Sequence, residues 1–189
     1  REKGHRNCAT VFDCGHVPER SLLVTVGVDR RLCAWDATAP FGAVASLQVP
    51  GGSSAQLCLA WEEAEGGVLY SGGTDGRVRL WDLRRTDDGR CAPLATKAPH
   101  GGHAAEAWVT QLITFGRARL LSGATDALII EWDLRRRRTG LALEPRRVFH
   151  HHSKAVCALA FAAACHLLLS AAYEHDVFVW APSLPERTQ

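Results

Sequence analysis

The 189-residue chain has no methionine, one asparagine, three isoleucines and only three lysines against 19 arginines. Its apolar runs fall far short of the ~20 residues that a membrane-spanning helix needs, so no membrane partner is expected. No basic segment followed by an apolar stretch opens it, and no secretory signal is read. Residue 1 is Arg, so the start of the gene product is expected to lie outside these residues. The formal charge of +2 excludes a strong bulk field for nucleic acid. The arginine and alanine excess resembles translation of a GC-rich gene, which warns against assigning a function to every guanidinium.

Paired-cysteine spacings are also missing. The seven cysteines (Cys8, Cys14, Cys33, Cys58, Cys91, Cys157, Cys165) are odd in number and contain no Cys-x-x-Cys. Several lie in apolar strand patterns, where a free thiol behaves as a small hydrophobe. This reads as a reducing, cytoplasmic setting with no disulfide framework and no zinc site.

What is present is a globular composition, 47% hydrophobic and 22% charged, and a repeat. Segments 21–37, 67–83, 118–134 and 166–182 align, with Trp35, Trp81, Trp132 and Trp180 in register. Ten residues before each Trp stands a hydroxyl: Thr25, Ser71, Ser122, Ser170. Six residues before it stands a carboxylate: Asp29, Asp75, Asp126, Glu174. Each segment reads as two strands around a tight turn. A further strand is expected before each pair (9–14, 55–61, 108–115, 155–161) and a weaker one after it (45–49, 92–97, 146–151). Helix signals are almost absent.

This pattern resembles the WD-repeat (WD40) β-propeller family along essentially the whole chain. Trp-Asp stands at 35–36, 81–82 and 132–133, and the last copy departs with Trp180-Ala181. Gly-His appears as Gly4-His5 and Gly102-His103; His152 has no preceding Gly, and Gly52 stands where the second His would align. The resemblance implies an all-β propeller with about four blades visible: 1–50, 51–100, 101–151, and 152–189 without its outer strand. It also implies part of a larger ring, usually seven-bladed, whose open blade faces need neighbours. Within each blade it implies a hydrogen-bonded chain: His5–Thr25–Asp29–Trp35, Ser71–Asp75–Trp81, His103–Ser122–Asp126–Trp132 and a weaker His152–Ser170–Glu174–Trp180. Lacking its histidine, the second chain is expected to make Asp75 less important to stability than Asp126.

Such chains have a physical rationale, because a buried indole N–H needs an acceptor and groups in series can satisfy one another. Four in-phase copies point to staples, so no catalytic residue is assigned. Arg135–Arg138 reads as a solvated loop after Trp132, or as a surface for an acidic partner. His150–His152 alternate across a strand and cannot converge on a metal. Gly51–Ser54 and Gly72-Gly73 lack the Lys and helix of a phosphate loop and read as turns. No cofactor or small-molecule substrate is expected.

The function implied is a non-catalytic protein-interaction scaffold. Stretches 107–136 and 149–182 look like large WD-repeat proteins of cilia and flagella, some of which carry EF-hands, although no such calcium loop occurs here. The partner-binding candidates are Trp108 and Tyr173, on the end where the tight turns open. A second reading uses Arg84 and Arg135. Each ends a Trp-Asp-Leu-Arg, which resembles the adaptor-contacting motif of cullin–RING ubiquitin-ligase receptors. A WD-repeat hydrolase is a third.

Overall fold

The computed structural model describes residues 11–17, 21–36, 38, 43–48, 54–62, 68–83, 95–97, 107–116, 118–137 and 140–181. These form four antiparallel sheets and contain no α-helix. The first sheet is β1 (Val11–Val17), β2 (Leu22–Gly27), β3 (Arg31–Asp36) and β4 (Ala43–Gln48). The second is β5 (Gln56–Glu62), β6 (Val68–Gly73), β7 (Val78–Asp82) and β8 (Ala95–Lys97). The third is β9 (Val109–Phe115), β10 (Arg119–Ala124), β11 (Ile129–Arg137) and β12 (Gly140–Phe149). The fourth has β13 (Val156–Ala162), β14 (Leu167–Ala172) and β15 (Val177–Trp180). Residues 182–189, which follow β15 and were expected to hold no outer strand, lie outside the described residues.

Strands follow one another across each sheet, and the first strands pack together in order: β1 on β5, β5 on β9, β9 on β13. Short meander connections and alternating apolar residues produce this arrangement. Each later blade presses its Trp into the preceding one. Trp81 packs with Val24, Val26 and Leu32, and Trp132 with Val68, Tyr70 and Leu80. Trp180 packs against Leu121 and Ile129. Blade contact requires small residues: a Cβ on Gly123 would sit 2.6 Å from Val156 Cγ1, and one on Gly72 2.5 Å from Val109 Cγ1. Val177 and Val179 on the last sheet are each 60% exposed, on a face that no described residue covers.

All four first strands carry a bulge near their start, leaving Phe12, Leu57, Thr110 and Cys157 as the extra residues. A bulge bends the strand and re-aims the residues beside it. In three of the four sheets the tight turn between second and third strands holds a left-handed residue. Gly76 supplies it at φ 67, while Ala127 (φ 66) and Arg30 (φ 63) adopt it without glycine's freedom.

Three expectations change. His150–His152 do not alternate across a strand, because β12 ends at Phe149 and they follow it. Gly72 and Gly73 are not a turn but the end of β6. Arg135–Arg137 are not a loop either: they extend β11, pairing with Ala142, Leu141 and Gly140 of β12. Strands β3 and β7 stop one residue after their Trp, whereas β11 runs five residues past Trp132. The long run Gly140–Phe149 supplies a partner strand of ten residues, and pairing outweighs the polarity of the arginines.

Candidate functional site

The hydroxyls are where the indoles need them. Trp35 Nε1 donates to Thr25 Oγ1 at 2.8 Å, Trp81 to Ser71 at 2.8 Å, Trp132 to Ser122 at 2.9 Å and Trp180 to Ser170 at 2.8 Å. The fourth repeat brings its whole set together. Ser170 Oγ is 2.8 Å from His152 Nε2, and His152 Nδ1 meets Glu174. Glu174 also accepts from the Ser153 hydroxyl and, at 3.2 Å, from its backbone N–H. Hydrogen bonds from Ser153, then from His152, hold the Glu174 carboxyl down at about 2. Serine, imidazole and carboxylate in series suggest a nucleophile. Ser170, however, is 1% exposed, and its oxygen already accepts the Trp180 indole. The arrangement is a staple.

In the first and third repeats, His5 and His103 lie outside the described residues. Asp29 Oδ1 accepts the Arg31 N–H at 3.3 Å, and Asp126 Oδ1 the Leu128 N–H at 3.1 Å, so both brace their turns.

The second repeat differs from the sequence expectation. Ser71 Oγ does not wait for a missing imidazole: it donates to Gln56 Oε1 at 2.6 Å. Gln56 Nε2 reaches the Ala55 carbonyl at 3.2 Å and Ser54 Oγ at 3.5 Å. Ser54 in turn hydrogen-bonds Asp75. Arg79 Nη1 donates to Asp75 Oδ1 at 3.0 Å, and its Nη2 reaches Ser54 Oγ at 3.3 Å. Gln56 takes the strand position of Val109 and Val156, and Arg79 that of Ile130 and Phe178. Burial works against ionising Asp75, but Arg79's hydrogen bonds and charge, with Ser54 and the Arg77 N–H, keep its carboxyl below the ordinary range. Gly73 makes room, since a Cβ there would lie 2.6 to 2.9 Å from Asp75, Arg79 and Gln56. The missed signal was two polar residues at apolar positions, both in the repeat without a histidine.

Burial, helped by the charge of Asp13, pushes the Cys58 thiol far up, so it stays protonated. Glu131, fully buried, meets Arg146 at 2.8 Å and Arg119 at 3.5 Å. His152 is buried while His150 and His151 are exposed, and the His151 ring stacks edge-on against Trp180.

Trp108 is 49% exposed and Tyr173 72%. Thr125 N–H donates to the Trp108 carbonyl at 3.0 Å, and Trp108 N–H to Thr125 Oγ1 at 2.8 Å. Tyr173 N–H makes the matching bond to the Ala155 carbonyl at 3.0 Å. Both aromatics therefore stand on the end of the sheets where the tight turns open. Arg84 lies outside the described residues. Arg135 is at the opposite end, 3.3 Å from Asp133 and 3.7 Å from Glu144.

The chain matches the family described as WD domain, G-beta repeat, over residues 46–82 and 143–181. WD40 repeats are found in both of these stretches. It is 31% identical over 126 residues to cilia- and flagella-associated protein 337 B of Tetrahymena thermophila, covering 66% of the chain and 9% of that protein. It is 28% identical over 161 residues to the ribosome biogenesis protein WDR12 homolog of Chlamydomonas reinhardtii, covering 84% of the chain and 32% of that protein. The solved structure of U3-55K superposes with a TM-score of 0.72 at 20% identity, over 94% of the chain and 50% of that protein chain. The chain thus spans 9% and 32% of the two sequence relatives' length and half of the solved chain. Its sheets are propeller blades, and its Trp–Ser chains sit inside them.

Proposed function

We propose that these WD40 repeats form a non-catalytic scaffold that docks partner proteins on the tight-turn end, through Trp108 and Tyr173. Repeats of this family are in general protein-interaction scaffolds. The observation that carries the site is exposure: two large aromatics stand open on one end, while the indoles of Trp81 and Trp132 are buried. Rigid aromatic side chains are common energetic centres of protein interfaces. The backbone bonds around Trp108 and Tyr173 hold both anchors on fixed turns. The setting we favour is a cilium or flagellum, on the likeness to the Tetrahymena protein.

The test is proximity labelling with the full-length protein, comparing wild type with Trp108→Ala and Tyr173→Ala at equal expression and unchanged circular dichroism. Truncating a central aromatic anchor costs about 2 kcal/mol, roughly a 30-fold loss of affinity. Labelled partners should drop out with either variant, and a tagged protein should concentrate in the axoneme. Retention of every partner by both variants overturns the site; exclusion of the tagged protein from cilia overturns the setting.

A further inference from the structure

The second and third blades share a clasp between the residue before the first strand and the residue before the turn carboxylate. In the second, Thr74 N–H donates to the Ala55 carbonyl at 2.9 Å, and Ala55 N–H donates back to Thr74 Oγ1 at 3.1 Å. In the third, Thr125 and Trp108 exchange the same two bonds at 3.0 and 2.8 Å. The fourth blade keeps half of the clasp. Tyr173 N–H donates to the Ala155 carbonyl at 3.0 Å, but a tyrosine has no hydroxyl on Cβ to receive the Ala155 N–H. Among the described residues no acceptor meets that N–H, although Ser153 N–H, two residues earlier, is taken by Glu174 at 3.2 Å. Ala155 is partly exposed and Tyr173 is 72% exposed, so the donor stands at the surface. A backbone donor with no acceptor in the protein is a fixed, directional feature for a ligand.

The surroundings define the acceptor. Strand β13 packs on β9, and Thr110 Oγ1 donates to the Val156 carbonyl at 2.6 Å. Val156 follows Ala155, and Thr110 lies two residues past Trp108. The donor is therefore beside Tyr173, where its blade meets the one that carries Trp108. Residues 153–155 and 173–176 hold one cation, Lys154, against two carboxylates, Glu174 and Asp176, which disfavours an anion. A neutral carbonyl meets no such repulsion, and an extended segment offers one beside side chains that alternate between its two faces.

We infer, on the reading that partners dock at the tight-turn end, that the Ala155 N–H takes a backbone carbonyl of an extended, uncharged partner segment lying against Tyr173. Tyr173 then acts twice. It supplies a ring and, by standing where the other blades have threonine, it leaves the donor open. Trp108, whose N–H is capped by Thr125, contributes its side chain alone.

The experiment is fluorescence anisotropy with the full-length protein. The probe is a fluorescein-labelled octapeptide of alternating threonine and valine, with its glutamate-for-threonine analogue as the anionic comparison. Ala155→Pro deletes the donor and keeps both rings. Tyr173→Thr supplies the missing hydroxyl, and Tyr173→Ala controls for loss of the ring. The neutral peptide should bind and should lose about five-fold in affinity with Ala155→Pro. It should bind Tyr173→Thr about five-fold more weakly than Tyr173→Ala. Hydrogen exchange of the unaltered protein, resolved to single amides, is independent of how the variants fold. The Ala155 amide should exchange faster than the clasped Trp108 amide, and the peptide should slow it. No binding of the neutral peptide, equal binding by Tyr173→Thr and Tyr173→Ala, an Ala155 amide as protected as that of Trp108, or tighter binding of the glutamate analogue would each overturn the inference. If Trp108→Ala still weakened the peptide in those cases, the docking end would stand without the donor. Unchanged binding by Trp108→Ala and Tyr173→Ala beside a loss with Ala155→Pro would instead overturn the aromatic anchors and keep the donor.

Discussion

Arg79 closes on Asp75 through both of its terminal nitrogens, and its own side chain is only 4% exposed. The other repeats have Cys33, Ile130 and Phe178 at that position. The second blade has thus replaced an imidazole chain with a glutamine, a serine and an ion pair. Removing one partner of a buried pair leaves the other charged and unmatched.

Asp75→Ala should therefore destabilise the chain by about 2–3 kcal/mol, since Asp75 keeps partial solvent access, against about 1 kcal/mol for Asp126→Ala. This reverses the order that the missing histidine suggests. Urea denaturation of both variants checks it. Asp75→Ala combined with Arg79→Ile should recover at least half of the loss.

Glu174 gives an acid dependence. Its carboxyl sits at about 2 in the fold against 4.5 as a free group. The unfolded chain binds the extra proton between these values, so this contribution is complete above pH 4.5 and disappears as pH falls toward 2. Glu174→Gln should flatten the stability profile across that window and leave the slope above it unchanged. Thermal melts at stepped pH measure this.

Gly123 reports on blade contact. Gly123→Ala drives a methyl into Val156 and should cost about 1–3 kcal/mol. Adding Val156→Ala removes the opposing methyl groups, and the double variant should be more stable than the sum of the two single losses. A double-mutant cycle decides it.

Ala127 pays for its left-handed turn conformation, whereas Gly76 takes the same turn position freely. Ala127→Gly should raise stability by about 0.5–1 kcal/mol, read as a higher midpoint at unchanged denaturant slope.

Trp108→Ala and Tyr173→Ala should each change stability by less than about 1 kcal/mol, because both side chains stand largely in solvent. A large loss in either would mark a packing role instead.

The strand pattern, the Trp–hydroxyl spacing of ten and the four-fold repeat were legible in the residues alone, because period-two alternation and turn chemistry are local. That His152, Ser170, Glu174 and Trp180 form one chain came from the family resemblance, and the structure joins them within one blade. The exposed positions of Trp108 and Tyr173 followed from the same register.

Tertiary structure decided what depends on partners distant in sequence. Gln56 reads as a strand residue until Ser71, fifteen residues on, donates to it. Arg79 reads as a solvent-facing alternation until burial forces it onto Asp75. Arg135–Arg137 read as a loop until Gly140–Ala142 pair with them. In each case the sequence determined the type of group, and the neighbouring strand determined whether water or protein would satisfy it. A polar group taken out of water must find its partner inside the fold.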